Sequence, residues 1–246
     1  MKNFKLTIEY DGTNYAGWQK QKNALTIQEL IEKKLHKIFG HIVKIRGAGR
    51  TDSGVHARGQ VAHFKVAKSS ISTESLKKAL NSILPKDIVI TKVEKAPLEF
   101  HAQYAAKKKR YTYTIFNRSY RCPMRKRFVY FYPFALDVPL MKKGAKILKG
   151  KNDFSAFSKI SSLKENSVRN IHRLSIKKAG DDVIFTFEAD GFLHNMVRIL
   201  TGTLIELSRG KLTLDTIETV LKSGDRNLAG YTVPASGLCL EKVYYK

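Results

Sequence analysis

Residues 171–188 read Ile171-His172-Arg173-Leu174-Ser175-Ile176-Lys177-Lys178-Ala179-Gly180-Asp181-Asp182-Val183-Ile184-Phe185-Thr186-Phe187-Glu188. Two strand-like runs flank an Ala-Gly-Asp-Asp junction, which is the pattern of a β-hairpin. A hairpin joins antiparallel neighbours, so the chain is not a regular succession of parallel strands and crossover helices. Working outward, Phe4, Leu6, Ile8 and Tyr10 alternate with Lys5, Thr7 and Glu9, the period of a half-buried strand that Asp11-Gly12 ends. Thr26 and Glu29 form a capping box, after which Ile27, Leu30, Ile31, Leu35 and Ile38 recur at helical spacing up to Gly40. A short strand is expected over Ile42–Ile45, then a glycine-rich loop at 46–59 and a strand over Gln60–Val66. Helices are expected at 73–84, 138–149, 193–208 and 213–223, with further strands at 88–93, Tyr111–Phe116 and Leu238–Tyr245. This mixture predicts an α+β fold of two domains, 1–105 and 106–246, each a largely antiparallel sheet with flanking helices.

The 246 residues include 43% hydrophobic and 27% charged residues, enough apolar material for an extensive core and far from the composition of a disordered chain. Lys and Arg number 45 against 21 Asp and Glu, giving a net charge of +24. The excess is spread: residues 1–120 carry +14 and the remainder +10. A folded chain that is basic along its length suits a polyanionic partner with an extended footprint, and nucleic acid fits better than a membrane because no basic amphipathic helix stands out. Cys122 and Cys239 match no zinc or redox spacing, so neither a disulfide framework nor a structural metal is expected. No apolar stretch approaches the roughly 18 residues of a membrane span. Met1–Tyr10 alternates instead of forming a signal-peptide core, and a cytoplasmic location is expected.

The segment least like ordinary fold-building sequence is Gly47-Ala48-Gly49-Arg50-Thr51-Asp52-Ser53-Gly54-Val55-His56-Ala57. It brings glycines, an arginine, a carboxylate and a histidine into one loop between strand-like runs. A dinucleotide fingerprint would need glycine at 52, and a P-loop would need Gly-Lys-Ser/Thr, so phosphate cradling is excluded on detail. Two readings stand on the residues alone: a glycine-freed loop that presents a functional side chain, or an Asx-type turn with solvated Arg50 and Asp52. His56 and His63 have no third ligand nearby, and each is read as serving packing or a backbone hydrogen bond.

Lys107–Arg110 leads into Tyr111-Thr112-Tyr113-Thr114, and Arg118, Arg121, Arg125, Lys126 and Arg127 follow, with Tyr120 and Phe128 among them. Basic groups neutralise phosphates and rings stack on unpaired bases, although strand aromatics also build cores. In Phe192-Leu193-His194-Asn195-Met196-Val197-Arg198, Arg198 lies three residues after Asn195 in an apolar segment. It is read either as partnered by a carboxylate or as a surface arginine.

These motifs occur together and in order: Glu9–Gly12 with Tyr15-Ala16-Gly17-Trp18-Gln19, the 47–57 loop, Arg110–Ile115, Asn152–Ser155, Phe192–Arg198 and Pro234–Tyr245. From about residue 4 to 245 the chain resembles the TruA family of tRNA pseudouridine synthases. The resemblance implies the pseudouridine synthase fold, a homodimer, and conversion of uridines 38–40 of the tRNA anticodon stem-loop to pseudouridine without metal or organic cofactor. It further implies that Asp52 is the catalytic aspartate, with Arg50 beside it helping to displace or hold the target nucleotide. Tyr111 would lie against the uracil, and Arg198 would pair with the aspartate. Ser53 stands where alanine is commoner in the family, and residues Lys159–Asn170 have no counterpart to which a role attaches. The rival reading is a non-catalytic tRNA- or rRNA-binding protein of the same fold; a pure binder gains nothing from a carboxylate facing RNA.

Overall fold

A computed structural model of the chain describes residues 1–67, 69–159 and 166–246. The chain is α+β and divides into two compact units, Met1–Lys107 with Leu240–Lys246, and Lys108–Cys239. Chain order alone puts residues 240–246 with the second half. They join the first unit because the last strand runs beside its sheet, where Gly59 gives it room: a Cβ there would stand 2.4 Å from the Glu241 carbonyl oxygen.

In the first unit, strands β1 (Lys2–Tyr10), β2 (Arg46–Gly47), β3 (His56–Val66) and β4 (Ile88–Ala96) accompany helices α1 (Ile27–Phe39) and α2 (Thr73–Ile83). The order is β4-β1-β3, with β2 also on β3, and every one of these pairs is antiparallel. The alternation of β1 does what its period predicts: Phe4, Leu6, Ile8 and Tyr10 are buried, and Phe4 stacks on Phe64 of β3 at 5.4 Å. Thr26 caps α1 by accepting from the Glu29 N–H, and Gly40 closes it in the left-handed region at φ 72°.

Two expectations fail in this unit. Ile42–Ile45 is not a strand, and Ile42 is 79% exposed. The backbone of Ile45 is satisfied from α1 instead: its N–H donates to Glu32 Oε1 at 3.0 Å and its carbonyl accepts from Gln28 Nε2 at 3.2 Å. The glycine-rich loop is also shorter than predicted, because β3 starts at His56. A register shift between the pairs Ile8–Gln60 and Tyr10–Ala57 lets the ladder continue past Gly59.

The second unit holds β5 (Lys108–Phe116), β6 (Tyr130–Phe131), β7 (Gly150–Asp153), β8 (Val168–Ala179) and β9 (Asp182–Ala189), with α3 (Val138–Ile147), α4 (Met196–Ser208) and α5 (Leu214–Ser223). Its order is β5-β9-β8-β7, antiparallel throughout, with β6 pairing parallel to β5. The predicted hairpin is present: Ala179 pairs with Asp182 across a two-residue turn, and Gly180 takes φ 59°. Helix α4 is buried along most of its length and lies against α3. It starts at Met196 rather than 193, because Asn195 sits in the left-handed region at φ 64°. Strand β10 (Leu238–Tyr244) runs from the second unit into the first. Of the segment 159–170, to which no role attaches, residues 160–165 lie outside the described residues, and its last three belong to β8.

Candidate active site

Asp52 lies in the loop between β2 and β3, half-exposed, between buried Thr51 and an exposed Ser53. Its carbonyl accepts from the Val55 N–H at 3.1 Å, closing a turn whose third residue, Gly54, has φ 77°. A positive φ at that position is what a type II turn requires, and glycine supplies it without strain. Further back, the Ala48 N–H donates to the Val61 carbonyl at 2.7 Å, and Gln60 Nε2 to the Gly49 carbonyl at 3.0 Å. The loop's N-terminal end is therefore tied to β3, the strand into which its C-terminal end runs.

A second loop, residues 11–18, clamps the first. The Trp18 N–H donates to the Thr51 carbonyl at 3.0 Å, the Gly54 N–H to the Tyr15 carbonyl at 3.3 Å, and Ser53 Oγ to that same carbonyl at 3.1 Å. Tyr10 and Thr51 share a buried hydroxyl–hydroxyl hydrogen bond of 2.7 Å. The Gly12 N–H donates to His56 Nδ1 at 3.0 Å, with Asp11 Oδ1 3.2 Å from that nitrogen. His56 thus joins the two loops through a backbone hydrogen bond, as the residue pattern suggested. His63 likewise accepts from the Ala102 N–H at 3.1 Å. The glycines make the approach possible: a Cβ on Gly12 would stand 2.0 Å from the Val55 carbonyl oxygen, and one on Gly17 would stand 2.5 Å from that of Thr51. The Tyr10–Trp18 motif is thus the cradle of the Asp52 loop. Its partners are some 40 residues away, a link that local patterning does not contain.

In the second unit, Tyr111 is buried on β5 opposite Phe187 of β9, and the Phe192 ring meets it edge-on at 5.1 Å. Arg198 projects from the first turn of α4. Its Nε donates to the Val233 carbonyl at 2.7 Å and its Nη1 to Asn195 Oδ1 at 2.8 Å. The i,i+3 pair read from the sequence is therefore a hydrogen bond. The carbonyl is within reach because the segment around Gly230 passes close to α4. A Cβ on Gly202 would stand 1.9 Å from the Tyr231 carbonyl oxygen, and one on Gly230 would stand 2.4 Å from the Thr203 nitrogen. Two bonds at fixed angles orient the guanidinium plane.

The basic stretches divide. Glu188, buried, holds Lys108 at 3.1 Å and Arg110 at 2.6 Å. Burial pushes the Glu188 carboxyl up, but its bonds to Lys108 and Arg110 outweigh that and hold it below its usual range. Arg125 grips Asp182 with two bonds of 2.9 and 2.7 Å, and Arg118 lies between the Phe116 and Tyr120 rings at 4.4 and 3.9 Å. These arginines brace the hairpin turn. Arg50, Lys107, Arg121, Lys126 and Arg127 are exposed on the surface. Among the described residues no helix is long and apolar enough to cross a membrane.

Over most of its length the chain matches a known class of enzyme. The profile of the tRNA pseudouridine synthase family covers residues 6–105 and 145–246, and the chain belongs to that family, whose members are isomerases. Curated relatives named tRNA pseudouridine synthase A are similar over the whole chain and their own whole length. One from Thermoanaerobacter sp. (strain X514) is 46% identical over 245 residues, and one from Clostridium acetobutylicum 45%. A Clostridium perfringens relative named tRNA pseudouridine synthase A 2 is 47% identical, again covering all of both chains.

Proposed function

We propose that this chain converts uridine to pseudouridine at positions 38–40 of the tRNA anticodon stem-loop, with Asp52 as the acting carboxylate. The observation that carries the reading is the clamped loop. Asp52 stands half-exposed on a backbone fixed from both sides, within a region matched by the family profile. A positioned carboxylate needs such support, because small misplacements of a reacting group cost large factors in rate.

The reaction breaks the N1–C1′ glycosidic bond, turns the uracil and rejoins it to C1′ through C5. The proton leaves C5 and N1 gains one, so the change is an isomerisation. Three roles are chemically open to Asp52: nucleophile at C1′, nucleophile at C6, or base at C2′. Arg50, beside it in the loop, helps hold the displaced nucleotide. By the family resemblance, Tyr111 is the tyrosine that lies against the uracil, with a hydroxyl suited to a proton transfer. By the same resemblance, Arg198 is the arginine that partners the carboxylate. The uridine must first leave its stack, which costs a few kcal/mol, and phosphate contacts to a chain of net charge +24 offset that cost. The active species is a cytoplasmic homodimer, by the family resemblance; light scattering that finds a fully active monomer would reject the dimer.

The decisive experiment incubates the protein with unmodified tRNA transcript and no additive, then maps pseudouridine. Product at the anticodon arm is expected. Tight binding without product would instead favour an RNA-binding protein that has lost the chemistry.

A further inference from the structure

Away from the Asp52 loop, the first unit carries a ladder of rings. The centroids of His63 and His101 lie 4.7 Å apart with the planes tilted at 61°, and Tyr104 stacks on His101 at 4.2 Å and 24°. Both imidazoles are pinned by main-chain donors. His63 Nδ1 accepts from Ala102, and His101 Nδ1 lies 3.2 and 3.4 Å from the amide nitrogens of Gln103 and Tyr104, which donate to it. The Ala105 N–H closes the turn onto the His101 carbonyl at 3.0 Å. Tyr104 nevertheless is 79% exposed. Arg46 pairs opposite His63 across β2 and β3, and Lys65 lies two residues further along β3, so both cations share the face on which His63 meets His101. Both are exposed.

An exposed aromatic side chain by itself is ordinary. A ring already stacked on an imidazole that its own turn holds in place, beside two cations, is a different object. Its rotamer freedom is already spent, one side is occupied, and a flat apolar surface is offered next to positive charge. We propose that Tyr104 is a stacking platform for a second, unpaired nucleobase of the RNA substrate, with Arg46 and Lys65 neutralising the adjoining phosphates. This rests on the tRNA reading given above. The base it takes is not the reacting uridine: His63 is seven residues along β3 from His56, roughly 23 Å at strand rise, so the platform is remote from the Asp52 loop. An acidic peptide would use the two cations but would gain little from a bare ring, whereas every nucleobase has a face to lay on it.

The test compares wild type, Tyr104→Ala and Tyr104→Phe for affinity to unmodified tRNA transcript and to a blunt RNA duplex with no unpaired base, across a salt series. Tyr104→Ala should weaken transcript binding on the order of tenfold, leave duplex binding unchanged and keep the slope of log affinity against log salt. Tyr104→Phe should behave as wild type, because the ring is retained. Arg46→Gln with Lys65→Gln should flatten the salt slope. In turnover with transcript, the Tyr104→Ala loss should fall on KM. Transcript affinity unchanged in Tyr104→Ala, or lost equally on both RNAs, overturns the platform. Failure of the parent reading looks different: wild type would form no pseudouridine, while the Tyr104 dependence of transcript binding would persist.

Discussion

The Tyr10 phenol and the Thr51 hydroxyl lie 2.7 Å apart in the interior, so the residue preceding Asp52 is bonded to the end of β1. This contact carries the rigidity of a central strand into the loop. Tyr10→Phe keeps the ring and deletes the bond, leaving the Thr51 hydroxyl buried without it. We expect a loss of about 1–3 kcal/mol in urea unfolding. Single-turnover pseudouridine formation should slow while tRNA affinity holds. An unchanged rate would mean that the loop is held by its backbone bonds alone.

Asp52→Asn separates binding from chemistry. The amide preserves shape but is neither nucleophile nor base at neutral pH, so turnover should vanish. Affinity for tRNA should stay the same or rise slightly, because a negative charge near the phosphates is gone. If Asp52 were only a turn residue, the substitution would be silent in both assays, since asparagine makes the same local bonds.

Gly12→Ala tests the clamp from the other side. A methyl group 2.0 Å from the Val55 carbonyl oxygen forces the two loops apart. Overpacking of this kind costs about 1–3 kcal/mol, and more where backbone must move. Activity should fall with stability. Gly40→Ala is the control: its φ is 72° but nothing stands within 4 Å of the added Cβ. It should cost about 1–2 kcal/mol for the left-handed backbone and leave turnover intact.

Acid should weaken the first unit through its histidines. Burial first, then the neighbouring His101, pushes His63 from 6.5 down to about 4. His101 moves the same way through burial, then Arg46 and Lys65. Between pH 6.5 and 4 the unfolded chain binds more protons than the folded one, so stability rises with pH in that window. It is fully present above the unfolded value and is lost as pH falls toward 4. His63→Gln, which still offers an oxygen to the Ala102 N–H, should flatten the dependence of the urea midpoint on pH. An equally steep curve in that variant would assign the acid sensitivity elsewhere.

What could be read from the sequence was what neighbouring residues decide. The turn at Gly180, the Thr26 cap, the alternation of β1 and the Asn195–Arg198 pair all depend on spacings of four residues or fewer, and they are present. The failures depend on remote partners. Ile42–Ile45 has strand composition, but Glu32 and Gln28 reach over from α1 to take the Ile45 backbone. Lys108 and Arg110 look like a phosphate patch until Glu188, some 80 residues on, is seen to hold both. The motif residues of the candidate site were visible as a set because the family resemblance joined them. The physical link between Tyr10–Trp18 and the Asp52 loop became clear only when the chain was folded.

The route of β10 bears on how the chain is made. Arg58 meets Glu241 at 3.1 Å, and Gly59 receives the backbone of that same residue, so the flank of β3 is completed by residues that follow the entire second unit. During synthesis the first unit emerges early but holds an unfilled strand position until all of Lys108–Cys239 has left the ribosome. Closing a loop of that length adds only a slowly growing entropic cost, yet it must be met before the contacts that reward it form. The nascent first unit therefore spends most of translation with an open sheet edge, the kind of surface that pairs with other chains. Its flanking residues Arg58 and Lys65 place charge along that strand while it waits.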